Sequence, residues 1–281
     1  MKRYSSYSRL RFTSKGTLVS LLFSLLLCVS SVQVYAQGLP VAAPASVGMS
    51  AAKLDQIDQI VLADIADKKM PGAVVIVGRK GKIVYRKAFG NRSLVPTVEK
   101  MTVDTIFDVA SLTKPVATAT SIMVLVEQGK LRLNDTIGKF IPDIDDPEAK
   151  KVTILQLLTH TSGYRPDFDL GEKWTGREGM LAALKKEKLR SPPGTKFVYS
   201  DIGFIVLGEI VFRISENEVD RFSATSLLKP STIENSFFMR FPESGWRGTL
   251  TRIAPTENIR GQNSYLGSKF EGDAHTGNKI L

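Results

Sequence analysis

The chain has 281 residues, of which 43% are hydrophobic, and its 38 basic and 28 acidic side chains give a formal net charge of +10. This length is sufficient for one large domain, and the absence of a basic stripe interleaved with aromatic residues argues against nucleic-acid binding. With two histidines far apart and a single cysteine, the sequence offers no recognisable metal ligand set, and it contains no glycine-rich phosphate loop. We therefore expect neither a metal nor another cofactor.

The first 36 residues are typical of a secretory signal peptide. They contain five basic and no acidic side chains, followed by an apolar run at 18–29 and a small residue, Ala36, at a suitable cleavage position. The apolar run is too short to span a bilayer comfortably, and an uncleaved membrane anchor is the alternative interpretation. Cleavage near Ala36 would make the protein secreted or periplasmic, and it would remove Cys28, so that no disulfide could form in the mature chain.

After the signal segment, residues 37–48 are predicted to be a flexible lead-in to a domain at 49–281. Apolar residues at helical spacing predict an amphipathic helix over 51–69, with Ser50 as its N-cap. Two β-strands are then expected at 73–78 and 83–89, separated by the turn at 79–82.

Farther along, residues 105–110 form an approach segment to a second predicted helix. This helix is expected over 116–128 and ends at Gly129. Between about 130 and 240 the pattern alternates between helices and loops.

The sequence Ser-x-x-Lys at 111–114 carries the first candidate for catalysis. A serine hydroxyl needs a neighbouring base to attack a carbonyl, and residues three apart on a helix share a face, which places Lys114 beside Ser111. The same pattern at Ser50 is better explained by the N-cap, and the one at Ser226 has no supporting context. For Ser111 an N-cap role is the alternative to a nucleophilic one. Tyr199 is the candidate for a second proton-transferring group.

Four motifs occur in a fixed order and strengthen the catalytic interpretation. They are Phe-Asp-Val-Ala-Ser-Leu-Thr-Lys-Pro at 107–115, Leu-Leu-Thr-His-Thr-Ser-Gly at 157–163, Pro-Gly-Thr-Lys-Phe-Val-Tyr-Ser-Asp-Ile-Gly at 193–203 and Arg-Ile-Ala-Pro-Thr-Glu at 252–257. Together they resemble the serine beta-lactamase-related family, which includes class C beta-lactamases, low-molecular-weight penicillin-binding proteins and related esterases. The resemblance covers most of the chain after the signal segment.

The resemblance implies an α+β fold of the beta-lactamase/transpeptidase type, an antiparallel sheet flanked by helices with a helical subdomain inserted at about 130–240. It implies that Ser111 is the acylated nucleophile, Lys114 the base that deprotonates it and Tyr199 the phenol that transfers protons. In such enzymes the oxyanion hole combines the Ser111 backbone N–H with one from a late sheet strand.

Asp201 stands where many family members have asparagine. An aspartate there could accept a hydrogen bond from Lys114 and raise the pKa of the ammonium, which opposes the base role, or it could orient Ser200 instead. We expect Asp201 to support the site in one of these two ways.

The third family motif, usually Lys-Thr-Gly or His-x-Gly, matches His275 and Gly277 in its letters but lies too close to Tyr199 in the sequence. The stretch at 271–278 fits an earlier family loop better. The late sheet strands are accordingly expected to be missing from this chain, which would leave an unpaired sheet edge.

Three further side chains near the motifs have open roles. His160 is interpreted as a hydrogen-bonded turn residue, because no carboxylate signal accompanies it. Trp174 and Tyr164 lie in loops that would border the cleft, and they either contact substrate or cover the core.

The sequence thus predicts a secreted serine hydrolase that forms an acyl-enzyme on Ser111 with a small-molecule or peptidoglycan-type substrate. The bond cleaved would belong to a carboxylic ester, a beta-lactam or a D-alanyl peptide. The alternatives are a catalytically incomplete remnant and a non-catalytic cell-wall or ligand-binding protein, with membrane contact only through an uncleaved signal segment. The sequence does not indicate an oligomeric state.

Overall fold

The computed structural model describes residues 38–95, 97–168, 174–238 and 252–255. The described residues from Leu39 onward group into one compact unit. The predicted signal peptide at 1–36 and the candidate third motif at His275 and Gly277 lie outside the described residues.

The first long helix, α1 (Ala51–Ala66), begins at the predicted N-cap. The Ser50 hydroxyl accepts a hydrogen bond from the Lys53 backbone N–H at 3.3 Å. The helix ends three residues earlier than predicted, because Lys68 adopts the left-handed conformation with φ 59° and so interrupts the helical backbone.

A β-hairpin follows, as predicted, formed by β1 (Gly72–Arg79) and β2 (Lys82–Ser93). The two residues of its turn, Lys80 and Gly81, both have positive φ, which is the turn conformation that matches the twist of an antiparallel pair. A short third strand, β3 (Glu99–Lys100), pairs antiparallel with β2, so the strand order is β1-β2-β3. Within the described residues no strand pairs with the outer edge of β1.

Helix α1 covers this sheet through a small apolar cluster. Its buried members are Val47, Leu54, Val61, Val84, Tyr85 and Phe89. Gly90 allows the close passage of the chain before β1, since a Cβ there would lie 2.5 Å from the Pro71 carbonyl oxygen and its φ is 65°.

The remaining described chain is mainly helical. A π-helical turn at Lys114–Ala119 leads directly into α2 (Thr120–Glu127), and the other helices are α3 (Ile137–Phe140), α4 (Ile154–Leu158), α5 (Gly176–Lys186), α6 (Asp201–Ser215) and α7 (Val219–Ser223), the last continued by a π-helical turn at Ala224–Leu228. Single 3-10 turns lie at Pro44–Val47, Ala110–Leu112 and Ala149–Lys151. The predicted helix at 116–128 is confirmed and begins two residues early.

The helices enclose a larger core around α6. Ile202, Val206, Leu207 and Ile210 of that helix have no exposed surface and pack with buried residues of α2, α3 and α4. None of the described helices is long and apolar enough to cross a membrane. The assignment of a separate helical subdomain at 130–240 remains a prediction.

Candidate active site

Ser111 and Lys114 lie at the start of the helix that leads into α2. Ser111 belongs to the 3-10 turn at Ala110–Leu112 and is exposed, whereas only 4% of Lys114 is accessible to solvent. The Lys114 Nζ donates a hydrogen bond to the Ser111 Oγ at 3.2 Å. The spacing of three residues therefore brings the two groups together as the sequence predicts, and the serine hydroxyl engages the lysine in this arrangement.

The backbone just before Ser111 is held in an unusual conformation. Ala110 has φ 43°, a left-handed value that is costly for a residue with a Cβ. The Asp108 carboxylate accepts a hydrogen bond from the Ala110 N–H at 2.7 Å and stabilises this turn. The turn places Ser111 at the surface, and the chain then enters the π-helical turn that begins at Lys114.

Tyr199 approaches the pair from the loop that precedes α6. The Lys114 Nζ lies 4.7 Å from the centre of the Tyr199 ring, and 45% of the tyrosine surface is exposed. The next residue, Ser200, is the N-cap of α6: its hydroxyl accepts from the Gly203 N–H at 3.2 Å and donates to the Arg165 carbonyl at 2.6 Å. The cap thus fixes where the loop ends and hence where Tyr199 lies.

Asp201, the first residue of α6, forms an ion pair with Lys114, with 2.5 Å between Oδ1 and Nζ. Of the two arrangements considered for Asp201, the structure has the one with the lysine, because the Ser200 hydroxyl is already bonded to Arg165 and Gly203. Burial of Lys114 lowers the pKa of its ammonium, but the Asp201 carboxylate and the neighbouring Tyr199 side chain outweigh burial and hold that pKa above its ordinary value.

Ser111, Lys114 and Tyr199 border a shallow pocket of about 500 Å³. Four of its lining side chains are polar or titratable, namely Ser111, Lys114, His160 and Tyr199. The others are apolar and are Val109, Leu112, Pro115, Ala119, Leu158 and Phe204. The pocket can hold a carbonyl compound against Ser111 with an apolar group beside it.

His160 lies at the pocket, a position that the sequence analysis did not predict for it. It is a hydrogen-bonded turn residue, as expected, with φ 56°, but its ring also borders the pocket and contacts Tyr199 at 4.5 Å between ring centres. In the sequence, the feature that could have indicated this position is its place in the motif at 157–163, whose other residues are either small or apolar.

The other two open residues belong to the core instead of the pocket. Tyr164 is 1% exposed, and burial raises the pKa of its phenol. Trp174 packs edge-to-face on Phe168 with 5.6 Å between ring centres. Neither lines the pocket around Ser111.

The described part of the fourth motif, 252–255, lies beside the approach segment to Ser111. The Ile106 N–H donates to the Arg252 carbonyl at 2.8 Å, and the Ala254 N–H donates to the Ile106 carbonyl at 2.9 Å. His275 and Gly277 lie outside the described residues, so the assignment of 271–278 to an earlier family loop, and not to the third motif, stays a prediction. No group of metal-binding side chains occurs among the residues that the structure describes.

The family model described as Beta-lactamase matches residues 57–271, and the chain therefore belongs to the beta-lactamase family. A solved class C beta-lactamase in complex with cefoxitin is 26% identical and superposes with a TM-score of 0.64, over 74% of this chain and 56% of the other. The penicillin-binding protein homologue from Pyrococcus abyssi gives 25% identity and a TM-score of 0.59, over 72% and 47% of the two chains. The predicted α+β fold of the beta-lactamase/transpeptidase type is confirmed by these neighbours.

A curated relative from Salmonella paratyphi A is provisionally named a D-alanyl-D-alanine carboxypeptidase. It is 30% identical over 248 residues, which make up 82% of this chain and 56% of the relative. The chain thus spans about half the length of the curated relatives that it matches.

Proposed function

We propose that this protein is a serine hydrolase that forms an acyl-enzyme on Ser111. The observation that carries the proposal is the 3.2 Å contact between the Lys114 Nζ and the Ser111 Oγ in a pocket that also contains Tyr199. An exposed hydroxyl beside a largely buried amine is the arrangement that nucleophilic acyl transfer requires.

In the acylation step, the Ser111 Oγ forms a bond to the substrate carbonyl carbon and its proton passes to a neutral Lys114 amine. The bond from that carbon to the leaving oxygen or nitrogen then breaks, and the leaving group takes a proton from Lys114 or Tyr199. In deacylation a water molecule adds to the acyl carbon and gives one proton to Lys114 or Tyr199. The bond between the acyl carbon and the Ser111 Oγ then breaks, and the same group returns that proton to the Ser111 Oγ. The sum is hydrolysis of one ester or amide bond.

The protonation state of Lys114 controls the rate of this step. Because Asp201 and Tyr199 raise the pKa of the Lys114 ammonium, most molecules hold a charged lysine at neutral pH. Only the fraction with a neutral amine can take the serine proton, so acylation should accelerate with rising pH.

The proposed substrate is a small carbonyl compound or a peptidoglycan-type peptide. The name of the Salmonella relative supports D-alanyl peptides, and the class C neighbours support beta-lactams. The apolar lining beside Ser111 supports carboxylic esters equally. We also propose that residues 1–36 direct the protein to the periplasm or the exterior and that 49–281 form the beta-lactamase-related domain, with its helical part at about 130–240.

A covalent serine probe tests the proposal. Mature protein is incubated with a fluorescent fluorophosphonate and with a fluorescent penicillin, and the adduct is located by peptide mass spectrometry. We expect a label on Ser111 in the wild type and none in Ser111→Ala, with Ser226→Ala as the matched control that labels normally. A wild-type protein that melts cooperatively but carries no adduct on Ser111 would refute the hydrolase.

The ion pair between Lys114 and Asp201 favours a second candidate, a non-catalytic ligand-binding protein. A lysine held as a cation by a carboxylate at 2.5 Å can bind an anionic or carbonyl group without acting as a base. In that case penicillin would bind reversibly to the wild type, Ser111→Ala would bind it equally well, and no turnover would be detected at any pH.

A further inference from the structure

His160 contacts Tyr199 and both of its neighbours in the chain. Its backbone carbonyl accepts the N–H of Val198 at 2.8 Å, and its Nδ1 accepts the N–H of Ser200 at 3.1 Å. Its ring lies 4.5 Å from the Tyr199 ring, with 32° between the two planes. One residue therefore holds both backbone neighbours of the tyrosine as well as its side chain.

From this arrangement we propose that neutral His160 is a positioning residue that holds Tyr199 beside Lys114, and that protonation of its imidazole releases the tyrosine. The inference rests on the proposed hydrolase, because it assigns a regulator to the same site. His160 is not itself placed in the chemistry, since its Nδ1 is already occupied by the Ser200 N–H.

The backbone of His160 is rigid enough to serve as this support. It follows α4, whose N-terminus carries a complete capping box between Thr153 and Gln156. The His160 N–H donates to the Leu157 carbonyl at 3.2 Å, and the Thr161 N–H donates to the Gln156 carbonyl at 2.8 Å. The left-handed φ of 56° at His160 then directs the chain toward the 198–200 loop.

The hydrogen bond to Ser200 defines the tautomer. Because Nδ1 accepts, the neutral ring carries its proton on Nε2. A proton added to Nδ1 would point at the Ser200 N–H, and two donors facing each other at that distance repel. The hydrogen bond that holds the C-terminal side of Tyr199 would be lost.

The surroundings keep the imidazole neutral near physiological pH. Burial, chiefly against Tyr199, Phe204 and Phe197, lowers the pKa of His160, and the Lys114 ammonium lowers it further. The Asp201 carboxylate acts in the opposite direction with a smaller effect. The positioning contact is therefore intact where the enzyme would work and breaks only at acid pH.

Two substitutions test the hydrogen-bond acceptor and the aromatic ring of His160 independently of each other. His160→Asn keeps an acceptor near the position of Nδ1 and tolerates the left-handed backbone, but it loses the aromatic ring. His160→Phe keeps the ring and loses the acceptor. We expect His160→Asn to label Ser111 within about tenfold of the wild-type rate, and His160→Phe to label it roughly 10²-fold more slowly. Thermal melts establish that both variants are folded.

The pH dependence gives a readout that a merely structural residue would not change. Below the titration of the imidazole, the logarithm of the wild-type labelling rate should fall with a slope of about two per pH unit, one from Lys114 and one from His160. In His160→Asn the slope should stay at about one. Equal labelling by His160→Phe and wild type, equal loss in both folded variants, or a wild-type slope of one throughout would each overturn the inference.

The Ser200 amide provides a measurement that does not depend on activity. In two-dimensional amide spectra, the Ser200 N–H should titrate together with His160 in the wild type, and it should not titrate in His160→Asn. A wild-type Ser200 signal that is independent of imidazole protonation would overturn the positioning role even if Ser111 labels well. A titrating signal without any label on Ser111 would instead refute the hydrolase and leave the His160 contact established.

Discussion

The helical region, from Lys114 to the end of the π-helical turn at Leu228, and the sheet region, formed by α1 and β1 to β3, bury their side chains to different depths. Val206 and Ile210 in the helical region have no exposed surface. In the sheet region Val84 and Phe89 retain 8% exposure, and β1 has no buried residue. The described residues therefore cover the helical region more completely than the sheet region.

One group of ion pairs from each region shows the same contrast in burial. Glu209 in α6 is almost fully buried and accepts from Arg177 at 2.6 Å and from Arg213 at 2.7 Å. In the sheet region, Asp58 of α1 pairs with Lys87 of β2 at 2.7 Å, and both side chains are about one-third or more exposed. Burial strengthens a charge interaction but also makes it costly to break.

The well-packed helical region holds most of the side chains of the candidate active site in place. Lys114, His160, Tyr199 and Asp201 all belong to the helical region, and each is held by contacts to a well-packed helix or its cap. The pocket lining outside the helical region includes Val109 and Leu112, which are 51% and 61% exposed. The groups proposed for proton transfer are thus pre-organised, whereas the side of the pocket at Val109 and Leu112 is open in the described structure.

The largest effect is expected when the Lys114 amine is removed from the edge of the helical core. Lys114→Met should lower the labelling rate of Ser111 by about 10³-fold, because no base then accepts the serine proton. This substitution also leaves Asp201 without its partner, so the double variant Lys114→Met/Asp201→Asn is the matched control. Comparable labelling by wild type and double variant would show that Lys114 is not the base.

The buried ion cluster should matter more to stability than the exposed one. Glu209→Gln removes the counter-charge of Arg177 and leaves Arg213 only its 3.4 Å contact with Asp143, and we expect a loss of about 3 kcal/mol in the free energy of unfolding. Asp58→Asn is the matched change in the sheet region, where solvent screening makes the loss much smaller. Urea denaturation of both variants measures the difference, and equal losses would contradict the contrast between the regions.

A pair of valines tests packing without charge. Val206→Ala removes two carbons from a fully buried site and should cost about 2 kcal/mol. Val84→Ala makes the same change under α1, where the surroundings are less enclosed, and should cost less. The urea midpoints of the two variants, compared at equal m-values, give the two losses in the free energy of unfolding. A larger loss at Val84 would mean that the sheet region is the better packed one.

The smallest expected effect concerns Asp201. Asp201→Asn removes a carboxylate that raises the pKa of the Lys114 ammonium, so that pKa falls. The neutral amine then forms at lower pH, and we expect the pH-rate profile of labelling to move to lower pH with a several-fold gain at pH 7. An unchanged profile would mean that the ion pair does not control the base.

Local patterns in the sequence predicted much of the fold. The Ser50 cap, the hairpin turn at Lys80-Gly81 and the helix after Pro115 each depend on neighbouring residues, and each is present in the structure. The left-handed conformations at Ala110 and Lys68 were not predicted, because both are residues that rarely adopt it and only surrounding contacts impose it.

The sequence by itself determined the contact between Ser111 and Lys114, because three residues along a helical backbone fix two side chains on one face. Only the tertiary structure decided that Asp201 pairs with this lysine and that His160 holds Tyr199 from both sides. These contacts join residues about 40 to 90 positions apart in the chain. No local conformational preference of the chain specifies such long-range contacts. They follow from the packing of α4 and α6 around one core.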